Sequence, residues 1–418
     1  MYIMRTQYPV GQGSFHAGSI LDKRIDGGQF HYVYDCGSAN RKALSQAIKN
    51  YKDRTSRVDA LFVSHLDNDR VNGLELLLDA VKVDKVYIPH ANDTALVMGL
   101  IQAESDGTVS ASLLEASLNP VNWFRSRGVE QVIGVRESLG TGDSDTQNPA
   151  KVDSTIESGD RVPISARDDS INWTLVPHVD PAPSPNGLDR FQRGMRNIFG
   201  LSGDQRVDSE QLSEAMRNKN VRKNLRHSYC TTIHWRPRCH TDSLVSMSLY
   251  SGPIRIEEAL DWDYQIHCGR NRLGRTTRDD PGPQATLTVV GWIGTGDATL
   301  SVEKSRAAWR GTYKPYEDYV CTVLLPHRYA ACKSHFDLYH FDTDDVLGFK
   351  YLEICATSAD NPNSYSCLFD SFTDLFFHVS QKPDTELVEE ILFSQDSRLE
   401  LIDQDPNPEP VMISGLTS

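Results

Sequence analysis

The segment that most constrains the fold is ALFVSHLDNDRVNGLELLL, residues 60–78. It opens with a short apolar run, typical of a strand covered on both faces, and this run ends at His65. Acidic residues follow at alternate positions, Asp67 and Asp69, and a helix-like apolar pattern begins after Gly73. A buried strand that leads directly into a helix is the repeating unit of α/β layer structures.

The first 90 residues continue this alternation of strand and helix. Apolar residues spaced near 3.6 predict helices over 39–53 and 71–82. The strands predicted around them are MYIMRTQYPV, GQGSFHAGSILD after its opening turn, FHYVYDCGS, VDALFVSH and VDKVYIPH. This order indicates an α/β layer structure.

The rest of the chain is less regular. Residues 91–165 are predicted to form helices with a polar loop, and residues 187–225 form an inserted polar helical segment. The further predicted strands are INWTLVPHV, CTTIHW, SLVSMSLYSG, ATLTVVGWIGTGDA, DYVCTVLLPH and YLEICATSA. A helix is predicted around SVEKSRAAWRG, and DTELVEEILF is a last amphipathic helix or strand before an acidic tail.

Charge and composition narrow the class of protein. The chain has 418 residues, a net charge of −14 and eight scattered cysteines without a CxxC pair. An acidic chain is not typical of electrostatic nucleic-acid binding. Residues 216–240 are locally basic, so they form either a solvated helix face followed by a strand or a phosphate-steering surface. No apolar run approaches the roughly 18 residues that a membrane span needs, and we expect a cytoplasmic protein with reduced thiols and no membrane partner.

Polar side chains that carry lone pairs recur at the ends of predicted strands. They are Asp35, His65, Asp67, Asp69, His178, His240, Asp297 and His327. Each one alone is explained as a hydrogen-bonded histidine, a helix cap or a turn residue. Together they would be costly to bury without a partner. A divalent metal satisfies all of them, because zinc, manganese and iron accept imidazole and carboxylate ligands.

The order of these segments resembles the metallo-β-lactamase fold superfamily, and within it the competence-type DNA-uptake nuclease branch. FVSHLDNDRVNGL resembles its metal motif, VYDCGS its strand ending in Asp-x-Gly, and WIGTGDA its Thr-Gly-Asp strand. The segments VGQGSFHAGSI, HTDSLVSMSLYSG and LLPHRYAAC resemble further family motifs. The resemblance implies an α/β fold, a four-layer αββα sandwich. It implies one such domain over 1–390, with insertions around 91–165 and 187–235, and a C-terminal tail over 391–418.

The resemblance also implies a metal site. The ligands it assigns are His65, Asp67, Asp69, His240, Asp297 and His327. Asp297 would bridge two ions, and His178 competes with His240 as a ligand of the first. The expected cofactor is one or two divalent ions, with zinc favoured over manganese.

The chain departs from the family pattern near this site. Asp67 stands where the family has a histidine, which makes the site richer in oxygen. Arg70 stands where a second-site histidine belongs, and an arginine has no lone pair to give a metal. His327 is followed by Arg328 instead of a second histidine. Arg70 is therefore either a fixed cation in place of the second metal, able to hold a phosphate oxygen, or the mark of a site that has lost its chemistry.

Two functions from different classes follow from the resemblance. The first is a metal-dependent hydrolase of a phosphodiester in nucleic acid or a nucleotide, with Asp69 and Arg70 as catalytic residues and Arg70 and Arg328 binding substrate. The second is a catalytically impaired subunit that acts as a sensor or assembly partner, beside an ATPase or protease of a phage-defence system. Metal content separates the two, since only the first requires a bound ion.

Overall fold

The structure is a computed structural model. It describes residues 1–90, 111–137, 152–165, 171–179, 193–202, 211, 214–215, 218–232, 246–255, 261–268, 271–277, 290–298, 303–325, 353–357 and 375–394. These residues form two β-sheets that face each other and helices that cover the outer faces.

The first sheet has ten strands in the part of the chain that the structure describes. In spatial order they are β11 (Asn271–Thr277), β10 (Asp261–Cys268), β16 (Leu387–Ser394), β1 (Tyr2–Gln7), β2 (Gly13–Leu21), β3 (Gln29–Ser38), β4 (Arg57–Phe62), β5 (Lys82–Pro89), β6 (Gln131–Arg136) and β7 (Ser154–Glu157). Pairing is antiparallel from β11 to β3 and parallel from β3 to β7. Parallel neighbours need crossover connections, and helices supply those after β3 and β4.

The second sheet has six strands among the described residues. In spatial order they are β15 (Leu375–Val379), β14 (Glu353–Thr357), β13 (Val320–Leu325), β12 (Gly291–Gly294), β9 (Met247–Gly252) and β8 (Thr174–Val179). Pairing is parallel from β15 to β12 and antiparallel from β12 to β8.

The described helices include α1 (Arg41–Arg54), α2 (Asn68–Val71), α3 (Leu74–Ala80), α4 (Ala111–Leu118), α5 (Pro120–Arg125), α6 (Lys219–Thr232) and α7 (Glu303–Tyr313). The longest of these, α1 and α6, have 14 residues each. The Asn40 side chain caps α1 by accepting from the backbone N–H groups of Lys42 and Ala43, each at 3.1 Å. No described helix is both long and apolar enough to cross a membrane.

Side-chain alternation places an apolar layer on each face of the first sheet. In β3, Tyr32 and Tyr34 belong to the core shared with the second sheet, whereas Val33 belongs to the core under α1 and α3. In β4, Phe62 belongs to the core shared with the second sheet, and Leu61 belongs to the core under the helices. Both faces of these central strands are therefore buried, as the continuous apolar run in the sequence predicts.

The fourth layer is α7, which covers the outer face of the second sheet. Trp309 of α7 donates a hydrogen bond from its indole N–H to Ser248 of β9 at 3.0 Å. Tyr313 donates from its hydroxyl to the backbone carbonyl of Val176 in β8 at 3.3 Å. The layers thus run helix, sheet, sheet, helix, and the αββα sandwich predicted from the motif order is confirmed.

Several elements differ from the sequence prediction. β6 and β7 lie inside 91–165, which we predict to be helical, and they extend the parallel half of the first sheet. CTTIHW is predicted as a strand, but 230–232 are the last residues of α6, and 233–235 lie outside the described residues. The sequence leaves DTELVEEILF open as a helix or a strand; its residues from Leu387 belong to strand β16, and the predicted boundary at residue 390 falls inside that strand.

A buried ion pair ties this last strand to both sheets. Arg5 of β1 lies 2.8 Å from Glu389 of β16 between Nη2 and Oε1, with both side chains at most 3% exposed. Tyr264 of β10 and Thr322 of β13 donate to the same carboxylate oxygen at 2.9 and 2.6 Å. Arg5 also donates to the backbone carbonyl of Ser251 in the second sheet at 3.4 Å. Each charge is therefore neutralised and hydrogen-bonded inside the intersheet core, as buried ions require.

Candidate metal centre

Two strands from opposite sheets end at the same edge of the sandwich. β4 of the first sheet leads to His65, and β12 of the second leads to Asp297. The Met247 N–H donates to the Ser64 carbonyl at 2.8 Å, which joins the two segments. The Tyr34 hydroxyl donates to the Met247 carbonyl at 2.7 Å. These hydrogen bonds hold the two sheets in the register that brings His65 and Asp297 together.

The orientation of the His65 ring is set by its neighbour in sequence. Ser64 places its hydroxyl 2.7 Å from Oδ2 of Asp35 and 2.9 Å from Nδ1 of His65. An ionised carboxylate only accepts hydrogen bonds, so the single Ser64 proton goes to Asp35 and the Nδ1–H group of His65 donates to Ser64. That tautomer leaves the lone pair on Nε2, the atom that faces the other acidic groups.

Asp35 supports this arrangement from a strained backbone position. It is the one non-glycine residue with positive φ in the described part of the chain, at 58°. Its Oδ1 atom accepts the backbone N–H of Ser64 at 2.7 Å. Complete burial raises the pKa of Asp35, whereas the nearby Arg70 charge and the Ser64 hydrogen bonds act against that rise. Left-handed backbone strain at a buried carboxylate is typical of functional sites.

Three buried side chains form a group that fits a divalent ion. Nε2 of His65 lies 3.3 Å from Oδ2 of Asp297 and 3.7 Å from Oδ2 of Asp67. One ligand atom from each residue lies within 4.8 Å of the others. Tetrahedral ligands bonded to zinc at 2.0–2.1 Å would lie roughly 3.3–3.4 Å apart. An imidazole lone pair directed at two carboxylates is repulsive without a cation between them, so the donor set and its spacing both fit a metal.

The turn that carries Asp297 depends on Gly296. Its φ is +58°, in the left-handed region, and an added Cβ would lie 2.8 Å from the Met247 carbonyl oxygen and 2.5 Å from Ser246 Oγ. The Ser246 hydroxyl in turn accepts the backbone N–H of Asp297 at 2.8 Å. A side chain at position 296 would therefore displace the groups that position the carboxylate.

The segment that carries Asp67 is docked on β3 through backbone contacts. Asp67 is the N-cap residue of α2, but its side chain makes no capping hydrogen bond. A Cβ at Gly37 would lie 2.5 Å from the Asp69 carbonyl, so the absence of a side chain there allows α2 to approach. Asn72 pairs with both backbone groups of Ser38, at 3.0 and 2.7 Å. The NDRVNG part of the motif thus fixes the position of α2.

Arg70 points from α2 toward the carboxylates of Asp35 and Asp297. Its Nη2 atom lies 3.6 Å from Oδ1 of Asp297, and its Nη1 atom lies 3.8 Å from Oδ2 of Asp35. The side chain is only 3% exposed. Burial alone would lower the pKa of Arg70, but the charges of Asp297, Asp35 and Asp69 outweigh it and raise the pKa. The guanidinium is therefore a permanent positive charge beside the three-residue group.

The remaining predicted site residues are placed as follows. Asp69 is buried in α2, and its carboxylate is not part of the three-residue group. His178 lies on the outer face of the second sheet, where its Nδ1 atom is 2.9 Å from the hydroxyl of Thr312. The structure therefore does not bring His178 to this centre. His240, His327 and Arg328 lie outside the described residues.

Ser64 is the residue of the centre that sequence reasoning missed. Nothing in its type distinguishes it from other serines, but it stands between a buried strand and a histidine. A hydroxyl next to a metal-ligand histidine is in position to fix the tautomer of the ring. The sequence predicts Asp35 as one of the strand-end polar residues that a metal would satisfy, and its hydrogen bonds to Ser64 give it a role in orienting the His65 ring.

Residues 24–138 match the family model described as the metallo-beta-lactamase superfamily. Within these residues the chain is similar to a metallo-beta-lactamase superfamily domain. The match confirms the superfamily predicted from the motif order, and it includes β4, His65, Asp67 and α2. The competence-type branch within it stays a prediction. No curated protein matches this sequence.

Two solved structures show weak likeness to this chain. A subclass B3 metallo-beta-lactamase from a soil metagenome library is 14% identical, with 42% of this chain and 51% of that chain covered and a TM-score of 0.20. An archaeal metallo-beta-lactamase superfamily protein from Sulfolobus tokodaii is 10% identical, with 55% and 95% covered and a TM-score of 0.20. This chain spans about half the length of the first. The family match and the two-sheet topology therefore carry the assignment.

Proposed function

We propose that this protein is a metal-dependent hydrolase that cleaves a phosphodiester in nucleic acid or a nucleotide. The observation that carries the proposal is the buried group of His65, Asp67 and Asp297. Members of the superfamily are in general metal-dependent hydrolases. The motif resemblance to the competence-type nuclease branch favours a phosphodiester, and a fixed guanidinium beside the group suits an anionic substrate.

In this proposal the three residues hold one divalent ion. When bound, that ion would supply Lewis-acid chemistry, lowering the pKa of a water molecule toward neutrality and polarising a phosphoryl oxygen. Ser64 and Asp35 keep the lone pair of His65 on Nε2, directed at the ion. Zinc suits the imidazole, and the two carboxylates also suit manganese.

In this proposal, Asp69 serves proton transfer and Arg70 serves charge stabilisation. Asp69 follows Asp67 by two residues and is buried at the same edge, so it accepts the proton of the attacking water as general base. Arg70 offsets the negative charge that builds up on the phosphoryl oxygens. The phosphate is thereby held between the metal group and a cation that the fold keeps in place.

The test is hydrolysis by the purified protein loaded with Zn²⁺ or Mn²⁺. The substrates are bis(p-nitrophenyl) phosphate, single-stranded DNA and duplex DNA, with a chromogenic β-lactam for comparison. We expect phosphodiester cleavage that a chelator abolishes. D69A should lower the rate by roughly 10²–10⁴-fold, the range for loss of a general base, and D297A should abolish it by loss of the metal. D79N, at an exposed position of α3, is the matched control.

Hydrolysis of the β-lactam without phosphodiester cleavage would contradict the proposed substrate class, but the protein would still be a metal-dependent hydrolase.

A second candidate function is supported by one observation, the ion pairs of Arg70 with Asp35 and Asp297. These pairs are also what an impaired site would contain, in a subunit that serves as sensor or as assembly partner of an ATPase or protease. Absence of hydrolysis with any divalent metal, together with a melting temperature that does not respond to chelator, would favour that subunit.

A further inference from the structure

Asp297 presents its two carboxylate oxygens to two different cationic positions. Oδ2 lies 3.3 Å from Nε2 of His65, on the side of the metal group. Oδ1 lies 3.6 Å from Nη2 of Arg70. A carboxylate that bridges two cations divides its oxygens in this way. At this centre, one of the two positions is occupied by a guanidinium that belongs to the chain itself.

We infer that Arg70 is the second cation of this centre and that the chain therefore binds a single metal ion. The inference rests on the metal site of the proposed function but not on its substrate. It predicts a stoichiometry, which is measured without any assay of activity.

The guanidinium is held in place from both ends. Its backbone belongs to α2, whose position is fixed by the close approach at Gly37 and by the paired hydrogen bonds of Asn72 with Ser38. Its far end lies 3.8 Å from Asp35, a carboxylate that is itself held by Ser64. An arginine also stays protonated at every working pH. The positive charge is therefore a constant part of the site.

The charges at this edge favour one metal over two. Among the described residues, four buried carboxylates lie there, those of Asp35, Asp67, Asp69 and Asp297. Arg70 offsets one of these charges, and one divalent ion offsets two more. A second divalent ion on Oδ1 of Asp297 would lie within a few ångströms of the guanidinium, where burial strengthens the repulsion between like charges. The arrangement thus favours one ion and opposes a second.

The experiment counts metal ions per chain. Metal-free protein is loaded with excess Zn²⁺, dialysed and analysed by mass spectrometry of the metal, and a parallel sample with Mn²⁺ is examined by electron paramagnetic resonance. We expect one equivalent for the wild type and the signal of an isolated Mn²⁺ ion. R70H removes the positive charge and offers a lone pair, so it should bind two equivalents and give the signal of a coupled Mn²⁺ pair.

Two further variants separate charge from structural damage. R70K keeps a positive charge on the same helix and should bind one equivalent. R125H changes an exposed arginine of α5 and should also bind one. Circular dichroism and melting curves check that each variant is folded, and the wild-type count decides the question even if R70H does not fold.

Two outcomes would overturn this inference and leave the proposed function standing. They are two equivalents of metal in the wild-type protein, or one equivalent in a folded R70H. Zero equivalents in the wild type and in every variant would instead reject the metal site, and the proposed function with it. The failure of the inference and the failure of the function are therefore distinguishable.

Discussion

The hydroxyl of Ser64 lies 2.9 Å from Nδ1 of His65, so a residue with no metal-binding chemistry of its own decides which nitrogen of the ring carries the lone pair. The same hydroxyl donates to Asp35 at 2.7 Å, and this fixes the direction of the hydrogen bond. A chain of carboxylate, hydroxyl and imidazole therefore runs from the buried strand β3 to the metal group.

Removal of this hydroxyl should weaken metal binding. We expect S64A to raise the dissociation constant for Zn²⁺ by roughly 10–100-fold, the usual effect of losing a group that orients a ligand. The measurement is competition with a chromophoric chelator. S45A removes an exposed serine hydroxyl of α1 and should bind as the wild type does. Equal affinities for S64A and the wild type would show that Ser64 does not orient the ring.

Asp67 should be needed for the stabilisation that metal gives. A ligand present at 100 times its dissociation constant stabilises a folded protein by about 2.7 kcal/mol. The wild-type melting temperature should therefore fall when a chelator is added, whereas that of D67N should not change. D79N should respond as the wild type does. A chelator response retained by D67N would place the ion elsewhere.

Gly296 should tolerate no side chain. G296A combines left-handed strain with contacts to Ser246 and Met247, and it should lower the melting temperature and abolish metal binding. G27A is the matched control, since Gly27 has a φ of +76° and nothing within 4 Å of an added Cβ. It should cost only about 1–2 kcal/mol of backbone strain. Equal losses in the two variants would mean that crowding at Gly296 is unimportant.

Breaking the ion pair of Arg5 with Glu389 should destabilise the fold strongly. E389L leaves an uncompensated charge in the intersheet core, and the free energy of unfolding should fall by about 3–5 kcal/mol. The double variant R5M/E389L removes both charges and should recover much of that loss. Urea denaturation gives the values. The exposed pair of Lys82 and Glu130 is the control, and E130Q should leave the stability close to that of the wild type.

Three of the buried histidines, His16, His31 and His178, should make the metal-free protein sensitive to mild acid. Burial lowers the pKa of His31 and of His178 to about 4, and it lowers the pKa of His16 well below its ordinary value. In the unfolded chain each titrates near 6.5. Below that pH the unfolded state binds protons that the folded state does not, so stability is complete above about pH 6.5 and is lost as the pH falls.

Each of these histidines should contribute up to about 1.4 kcal/mol per pH unit between pH 6.5 and 4. Melting curves of chelator-treated protein from pH 7.5 to 5 test this, before most carboxylates titrate. H178N should make the dependence of stability on pH less steep, because one of the three titrating histidines is then absent. A melting temperature that is constant from pH 7 to 5 would contradict the expectation.

Much of the centre is predictable because its residues lie at strand ends. His65, Asp67 and Asp297 follow apolar runs, and the edge of a layered sheet is where such residues converge. Ser64 was not predictable, because its role depends on the position of Asp35, a neighbour in space and not in sequence. The placement of His178 depends in the same way on Thr312, since a strand pattern alone does not say which face of the second sheet α7 covers.

The element at residues 384–393 stayed ambiguous for a physical reason. Glu389 and Glu390 are adjacent in the pattern, and an acidic residue normally marks an exposed position. Glu389 is buried because Arg5, far away in sequence, neutralises it. Arg5 and Glu389 neutralise each other in the core, which allows β16 to be a central strand. Each of these charges considered alone predicts an exposed position. The sequence pattern does not predict the hairpin of β10 and β11, although these two strands are neighbours in sequence.

The pairing of β16 with β1 affects how the chain is made. Met1 and Phe393 share backbone hydrogen bonds although they are 392 positions apart. On a ribosome that adds 5–20 residues per second, β1 therefore waits about 20–80 s for this partner. Throughout that time its outer edge is an open template for strands of other nascent chains. Newly made protein should therefore depend on chaperones that shield this edge until β16 emerges.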